Sequence, residues 1–209
     1  MLAVVLILLL ATAFLLGVEY LSRRKKYPPE ITRKFIHISG GTVAAFTPWF
    51  LSWHQIEAIA AVLFIIILIS RIFHIFGSIN SIERVSIGDL LFALSIAVVA
   101  IIAHDRLIFA AAILHMSLAD GLAAVAGTSL GKKTGYKVFG RQNSLVGASV
   151  FWLCSLLILL WYLLVAHVSG NWSVLIWLPL VATVVEAIGI DGTDNLLVPL
   201  VVTVIINRL

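Results

Sequence analysis

Charge is scarce in this chain of 209 residues: 14 Lys and Arg with 10 Asp and Glu make up 11% of it. A soluble domain carries about 25% charged residues. With 62% hydrophobic residues and a mean hydropathy of +1.13, a water-soluble globule is excluded. So are a disordered chain and a nucleic-acid-binding one, despite an isoelectric point of about 9.5. Cysteine is nearly absent. Cys154 stands alone inside an apolar run, so it can form no intrachain disulfide and no cysteine-type metal site. It reads as a small core residue. A spanning helix takes about 20 apolar residues, so the chain holds about eight spans and little else.

What is present is a succession of apolar runs, at roughly 1–21, 36–52, 56–73, 88–103, 107–130, 146–166, 173–188 and 194–207. They predict an all-α, polytopic membrane protein of about seven or eight transmembrane helices without a soluble domain. The chain reads as a single transmembrane unit over 1–209, with 1–21 as its first span. That run has its positive charge after it, in Arg23-Arg24-Lys25-Lys26, the reverse of a secretory signal. It is expected to be retained, with its N-terminus outside. Pro28-Pro29 halts the chain and suits a helix start, with Glu30 in the first turn. Of the 14 Lys and Arg, all but Arg106 and Arg208 fall in one set of alternate connections. The positive-inside rule makes that side cytoplasmic. The expectation is an integral, multi-pass protein of a prokaryotic plasma membrane, its working face toward the cytoplasm. The segment 71–88 reads either as an interfacial stretch or as a solvated linker.

Three polar constellations break the apolar pattern. In Ser117-Leu118-Ala119-Asp120-Gly121, the aspartate lies about three turns before Lys132 and Lys133. An ionisable residue within a span is costly and usually faces a cavity or a partner. At about 100° per residue, Gly127 and Gly131 fall about 20° to either side of Asp120, and Ala123 and Ala124 complete the face. That face sets a carboxylate above small side chains that admit a neighbouring helix or a ligand. Gly127 to Thr134 is not a P-loop, because the glycine spacing, the Lys-Ser/Thr ending and the preceding strand are all lacking. Lys132 and Lys133 remain candidates to bind phosphate as point charges.

The second constellation gathers Glu186, Asp191, Asp194 and Asn195 within ten residues. Such hard oxygen ligands suit Mg²⁺, which takes one or two carboxylates together with substrate phosphates. Gly189 and Gly192 permit a tight turn that brings Glu186 near Asp194. Pro199 lacks an N–H, which leaves the Asn195 carbonyl without its helical partner. The third constellation is Arg33, Lys34 and His37, which share one helix face and suit anionic phosphate or lipid headgroups. Among the other histidines, His115 reads more readily as buried and structural than as catalytic. His54, His104 and His167 fall in the outer connections, and His74 in the mixed segment.

Acidic residues for Mg²⁺, basic residues for phosphate and a small-residue face at a membrane boundary point to phosphoryl or nucleotidyl transfer to a lipid. Such transfer depends mainly on positioning and charge neutralisation. The residues resemble those of the polyprenol kinase family of CTP-dependent membrane lipid kinases, which takes in dolichol, phytol and diacylglycerol kinases. The resemblance rests on Arg33-Lys34 with His37, Gly88-Asp89 with Phe92, and Ser117 with Asp120, Ala123, Gly127 and Gly131. It continues through Ser144 with Gly147, then Glu186, Gly189, Asp194-Asn195 and Pro199, so it covers 30–209. It implies CTP as phosphate donor, Mg²⁺ as cofactor and a lipid alcohol such as a polyprenol, phytol or diacylglycerol as acceptor. In the family's Lys-Ser-x-x-Gly patch this chain departs, with Asn143 before Ser144 and Val146 before Gly147; Arg141 is a substitute phosphate contact.

The roles expected from these parts are as follows. Asp120 and Asp194 hold Mg²⁺ with Asn195 assisting. Arg33, Lys34, Lys132 and Lys133 neutralise the triphosphate beside Gly127, Gly131, Ser144 and Gly147. Glu186 or His37 accepts the proton of the lipid hydroxyl. Two other classes compete. A CTP-dependent lipid cytidylyltransferase would release pyrophosphate instead of CDP. A small ion-coupled transporter would use Asp120 and Glu186 as ion sites, but its charges should spread around a midplane cavity between repeats.

Overall fold

The computed structural model describes residues 2–25, 29–73, 87–103, 105–168 and 172–209. Its helices are α1 (Leu2–Lys25), α2 (Pro29–Ala45), α3 (Trp53–Phe73), α4 (Gly88–Ile102), α5 (Arg106–Leu114), α6 (Asp120–Leu130), α7 (Leu145–Val165), α8 (Val174–Ile188) and α9 (Asp194–Ile206). A π-helical turn, His115–Ala119, joins α5 to α6 in one continuous rod. Between α6 and α7 the chain forms an antiparallel hairpin of β1 (Gly135–Val138) and β2 (Arg141–Ser144). The architecture is therefore helical, as expected, with one small strand pair that an all-α description omits.

Each apolar run becomes a helix, but length separates them. Among the described residues, three helices are long and apolar enough to cross a membrane: Trp53–Phe73, Arg106–Thr134 and Leu145–Val165. Gly88–Ile102, Val174–Ile188 and Asp194–Ile206 are shorter apolar helices. The run expected over 36–52 is helical from Pro29 to Ala45 instead. Pro48 disfavours helical backbone at Thr47, and the chain tightens into a 3₁₀ turn over Thr47–Trp49. The expected interfacial stretch, with His74 and Arg84, falls on 74–86, outside the described residues apart from its ends; His104 lies outside them too.

The rod from Arg106 forms the centre. Of its apolar window 78% is buried, against 17% for α3 and 33% for α7. Phe109, Ile113 and Met116 from this rod are fully buried with Phe151 and Leu159 of α7, Leu178 of α8 and Val198 and Val202 of α9. Around it pack α3 on α4, α4 on α9, α9 on α8, α8 on α7 and α7 on α6. Local signals set the ends. Asp105 Oδ1 accepts from Leu107 N at 2.7 Å and caps the rod. Ser144 Oγ accepts from Gly147 N at 3.0 Å and caps α7. Phe139 and Gly140, with φ of 47° and 81°, make the two-residue turn of the hairpin.

The α6–α7 contact is close because glycines line it. A Cβ at Gly147 would lie 3.1 Å from the Ala123 carbonyl oxygen and 3.5 Å from Gly127 Cα. Gly147→Leu should therefore lower the thermal midpoint of the detergent-solubilised protein, at a cost of about 2 kcal/mol from overpacking. An unchanged midpoint would show that these helices are not in contact.

Candidate active site at the carboxylate cluster

The π turn sets up the first part of the site. Asp120 N donates to His115 O rather than to Met116 O, its partner in a regular α-helix. The freed Met116 carbonyl accepts from His37 Nε2 at 2.9 Å. The same ring nitrogen lies 3.4 Å from Asp120 Oδ2, and Lys34 Nζ lies 3.6 Å from it. Because Nε2 must carry its proton to meet a carbonyl, His37 orients the Asp120 carboxylate. Gly41 and Gly121 bring α2 close enough for this, since a Cβ at either would strike Ser117 or Ile38.

The second part is the turn between α8 and α9. Gly189 has no room for a side chain: a Cβ there would lie 2.9 Å from Asp194 N and 3.1 Å from Asp194 Cα. Asp191 and Gly192 follow with φ of 53° and 92°. This sharp reversal returns Asp194 toward Glu186, as the glycines predict. The turn is then tied to α4. Ile87 N donates to Asp191 O at 2.9 Å, and Asn195 Nδ2 donates to Gly88 O at 2.9 Å.

Asp120, Glu186 and Asp194 meet, each offering one oxygen, with these atoms all within 4.8 Å of one another. All three side chains are buried. Arg141, from β2, joins two of them. Its Nη2 donates to Glu186 Oε1 at 3.1 Å, and its Nη1 reaches Asp194 Oδ2 at 3.1 Å and Gly189 O at 2.7 Å. Burial works against the guanidinium charge, but the carboxylates of Asp194, Glu186 and Asp120 outweigh it and raise its pKa above the ordinary arginine value. Arg141 thus ion-pairs with the carboxylates while lining the cavity in which a phosphate contact is expected of it.

The donor set suits a divalent cation. Asp194 Oδ1 is buried and, among the described residues, has no hydrogen-bond partner. Among the described residues, the three acidic groups are ion-paired with two permanent cations, Lys34 and Arg141. Hard oxygen donors at this spacing are those Mg²⁺ or Mn²⁺ takes. Asn195 spends its Nδ2 on Gly88, so only its Oδ1 remains as the ligand expected from sequence.

The cluster opens into a cavity of about 1030 Å³. Its wall includes Arg33, Lys34, Gly127, Gly131, Lys132, Ser144, Gly147 and Asn195 beside the three carboxylates. The three sequence constellations therefore line one space. Two expected residues do not: Lys133 is exposed away from it, and His37 stands behind Asp120. Gly127 and Gly131 serve two purposes, since a Cβ at either would also press on Ser144. His115 is fully buried between Ala111 O, at 2.7 Å, and Ser155 Oγ, at 2.9 Å, a structural position. The sequence reading gave no role to Asp89, whose carboxylate lies 4.0 Å from Arg33 and 3.9 Å from Arg71. It also missed the hairpin wall of Tyr136, Gln142 and Asn143, for which the Phe139-Gly140 turn was the available signal.

Arg141→Gln removes the counter-charge of two carboxylates. It should cost about 2 kcal/mol of stability in chelator-containing buffer, with much of the loss recovered on adding millimolar Mg²⁺ or Mn²⁺. Thermal melts read both arms. A loss that neither cation restores would show that the cluster does not bind one.

Comparison with known proteins finds a similar protein, a phytol kinase of Synechocystis sp. (strain ATCC 27184 / PCC 6803 / Kazusa). The two are 33% identical over 197 residues, which spans 90% of this chain and 83% of the relative. No protein-family model matches the chain, and no solved structure matches it.

Proposed function

The chain belongs to the polyprenol and phytol kinase family of membrane lipid-alcohol kinases, and from that premise we propose that it moves the terminal phosphate of CTP to a membrane lipid hydroxyl. The observation that carries this reading is that a buried carboxylate cluster shares one cavity with Arg33, Lys34 and Lys132. Phosphoryl transfer needs little covalent help from a protein; it needs alignment and neutralisation of charge. Asp120 and Asp194, with Asn195 Oδ1 beside them, would hold Mg²⁺, which would neutralise the triphosphate when bound there. Lys34, beside Asp120, together with Arg33 and Lys132, binds the phosphate oxygens.

In the proposed reaction the lipid oxygen forms a bond to the terminal phosphorus, and the bond from that phosphorus to the bridging oxygen of CDP breaks. The hydroxyl proton passes to Glu186, whose Oε2 is left open by Arg141 holding Oε1. CDP and the lipid phosphate are the products. His37 acts at one remove, by orienting Asp120. In this reading the shorter apolar helices also lie in the bilayer, for seven or eight spans as expected, and the cavity faces the cytoplasm of a prokaryotic cell. The acceptor is an isoprenoid alcohol of the phytol or polyprenol kind, or diacylglycerol.

Purified protein incubated with Mg²⁺, terminally labelled CTP and a panel of lipid alcohols should yield labelled lipid phosphate and CDP. Pyrophosphate in place of CDP would make it a cytidylyltransferase. Solute flux in proteoliposomes without nucleotide consumption would make it a transporter. Asp120→Asn and Asp194→Asn should each lower turnover at least about 100-fold while the protein stays folded. Undiminished rates would remove these residues from the site.

A further inference from the structure

The π turn before Asp120 is an irregularity in an otherwise regular rod, and something must hold it. A π turn fits one more residue into a helix than α geometry does. If His115–Ala119 relaxed to α geometry, the chain beyond would rotate by about 100° and carry Asp120 away from Glu186 and Asp194.

His115 opens the turn, and both of its ring nitrogens are engaged. Nδ1 donates to Ala111 O at 2.7 Å, and a carbonyl partner fixes the proton on that nitrogen. Nε2 of the neutral ring then accepts from Ser155 Oγ of α7 at 2.9 Å. Both residues are fully buried, so losing one leaves the other unpaired among apolar side chains. Beyond the turn α7 grips the rod a second time, where Gly147 meets the Ala123 carbonyl and Gly127. The two grips lie on either side of the extra residue. Relaxing the turn slides the rod by one residue along α7 and breaks one of them. The contacts from α2 and α4 fall on the turn itself: His37 bonds to Met116 O, and Ser95 Oγ donates to Met116 Sδ at 2.8 Å.

Resting on the cation-site reading above, we propose that Ser155 and His115 are positioning residues for that site. Their bond pins the rod to α7, keeps the π turn and so fixes where Asp120 points. Neither residue lines the cavity, and their effect passes through the register of the backbone.

Electron paramagnetic resonance titration of Mn²⁺ into the full chain in detergent, beside ¹⁵N nuclear magnetic resonance of histidine-labelled protein, tests this without relying on turnover. Wild-type His115 should carry its proton on Nδ1 and none on Nε2; the opposite tautomer would overturn the pairing. Ser155→Ala should weaken Mn²⁺ binding about ten- to a hundredfold. The His37 Nε2–H signal should shift in the same variant, as Met116 O returns to Asp120 N. Leu159→Ala, one turn further along α7 and equally buried, cuts the same core without touching the pair. It should keep the wild-type Mn²⁺ affinity and His37 signal. An unmoved His37 signal in Ser155→Ala, or equal Mn²⁺ losses in the two variants, would overturn the proposal. A wild type that binds no Mn²⁺ would instead sink the cation reading, and the His37 signal would then decide the role of the pair alone.

Discussion

Three buried carboxylates repel one another, and much of this protein is arranged to hold them together. Asp120, Glu186 and Asp194 come from three different helices, and their oxygens lie within 4.8 Å. In a medium of low dielectric such a group survives only with opposite charge beside it. Arg141 supplies part of that charge to Glu186 and Asp194, and Lys34 supplies part to Asp120. Three acidic groups thus share two permanent cations, and among the described residues one oxygen of Asp194 has no partner. In the proposed reading a cation would complete the balance, and a substrate rich in phosphate would follow it.

Fold details that look unrelated serve this balance. The π turn before Asp120 frees the Met116 carbonyl that orients His37. Gly189 allows Asp194 to approach where any side chain would collide. The hairpin exists between α6 and α7 to carry Arg141 across the mouth of the cluster, while α4 clamps the acidic turn through Asn195 and Asp191. The apolar remainder of the chain, poor in charge, is a scaffold that fixes these few groups relative to the membrane.

Local periodicity made part of this legible. Because α6 is regular, the spacing of Asp120 and Gly127 placed them on one face, and Gly131, at the start of the 3₁₀ turn that follows, lines the same cavity. Glu186 and Asp194 were close in sequence, and the glycines between them announced a turn. Arg141 was not legible in that way: its partners lie 45 and 53 residues onward, and no local spacing encodes them. Nor was the π turn, whose register shift leaves no compositional mark, or the hairpin, which four-residue strands express only through the Phe139-Gly140 turn. His37 was read as one of two proton acceptors from its position beside Lys34. Its tie to Met116, made by tertiary packing, was not legible from that position.

The account turns on whether the carboxylate cluster is a cation site. An electron paramagnetic resonance titration of Mn²⁺ into the purified protein measures this directly. One tightly bound Mn²⁺ per chain is predicted for the wild type, tightening when CTP is present and lost in Asp194→Asn. Equal Mn²⁺ binding in the wild type and in Asp194→Asn would contradict it.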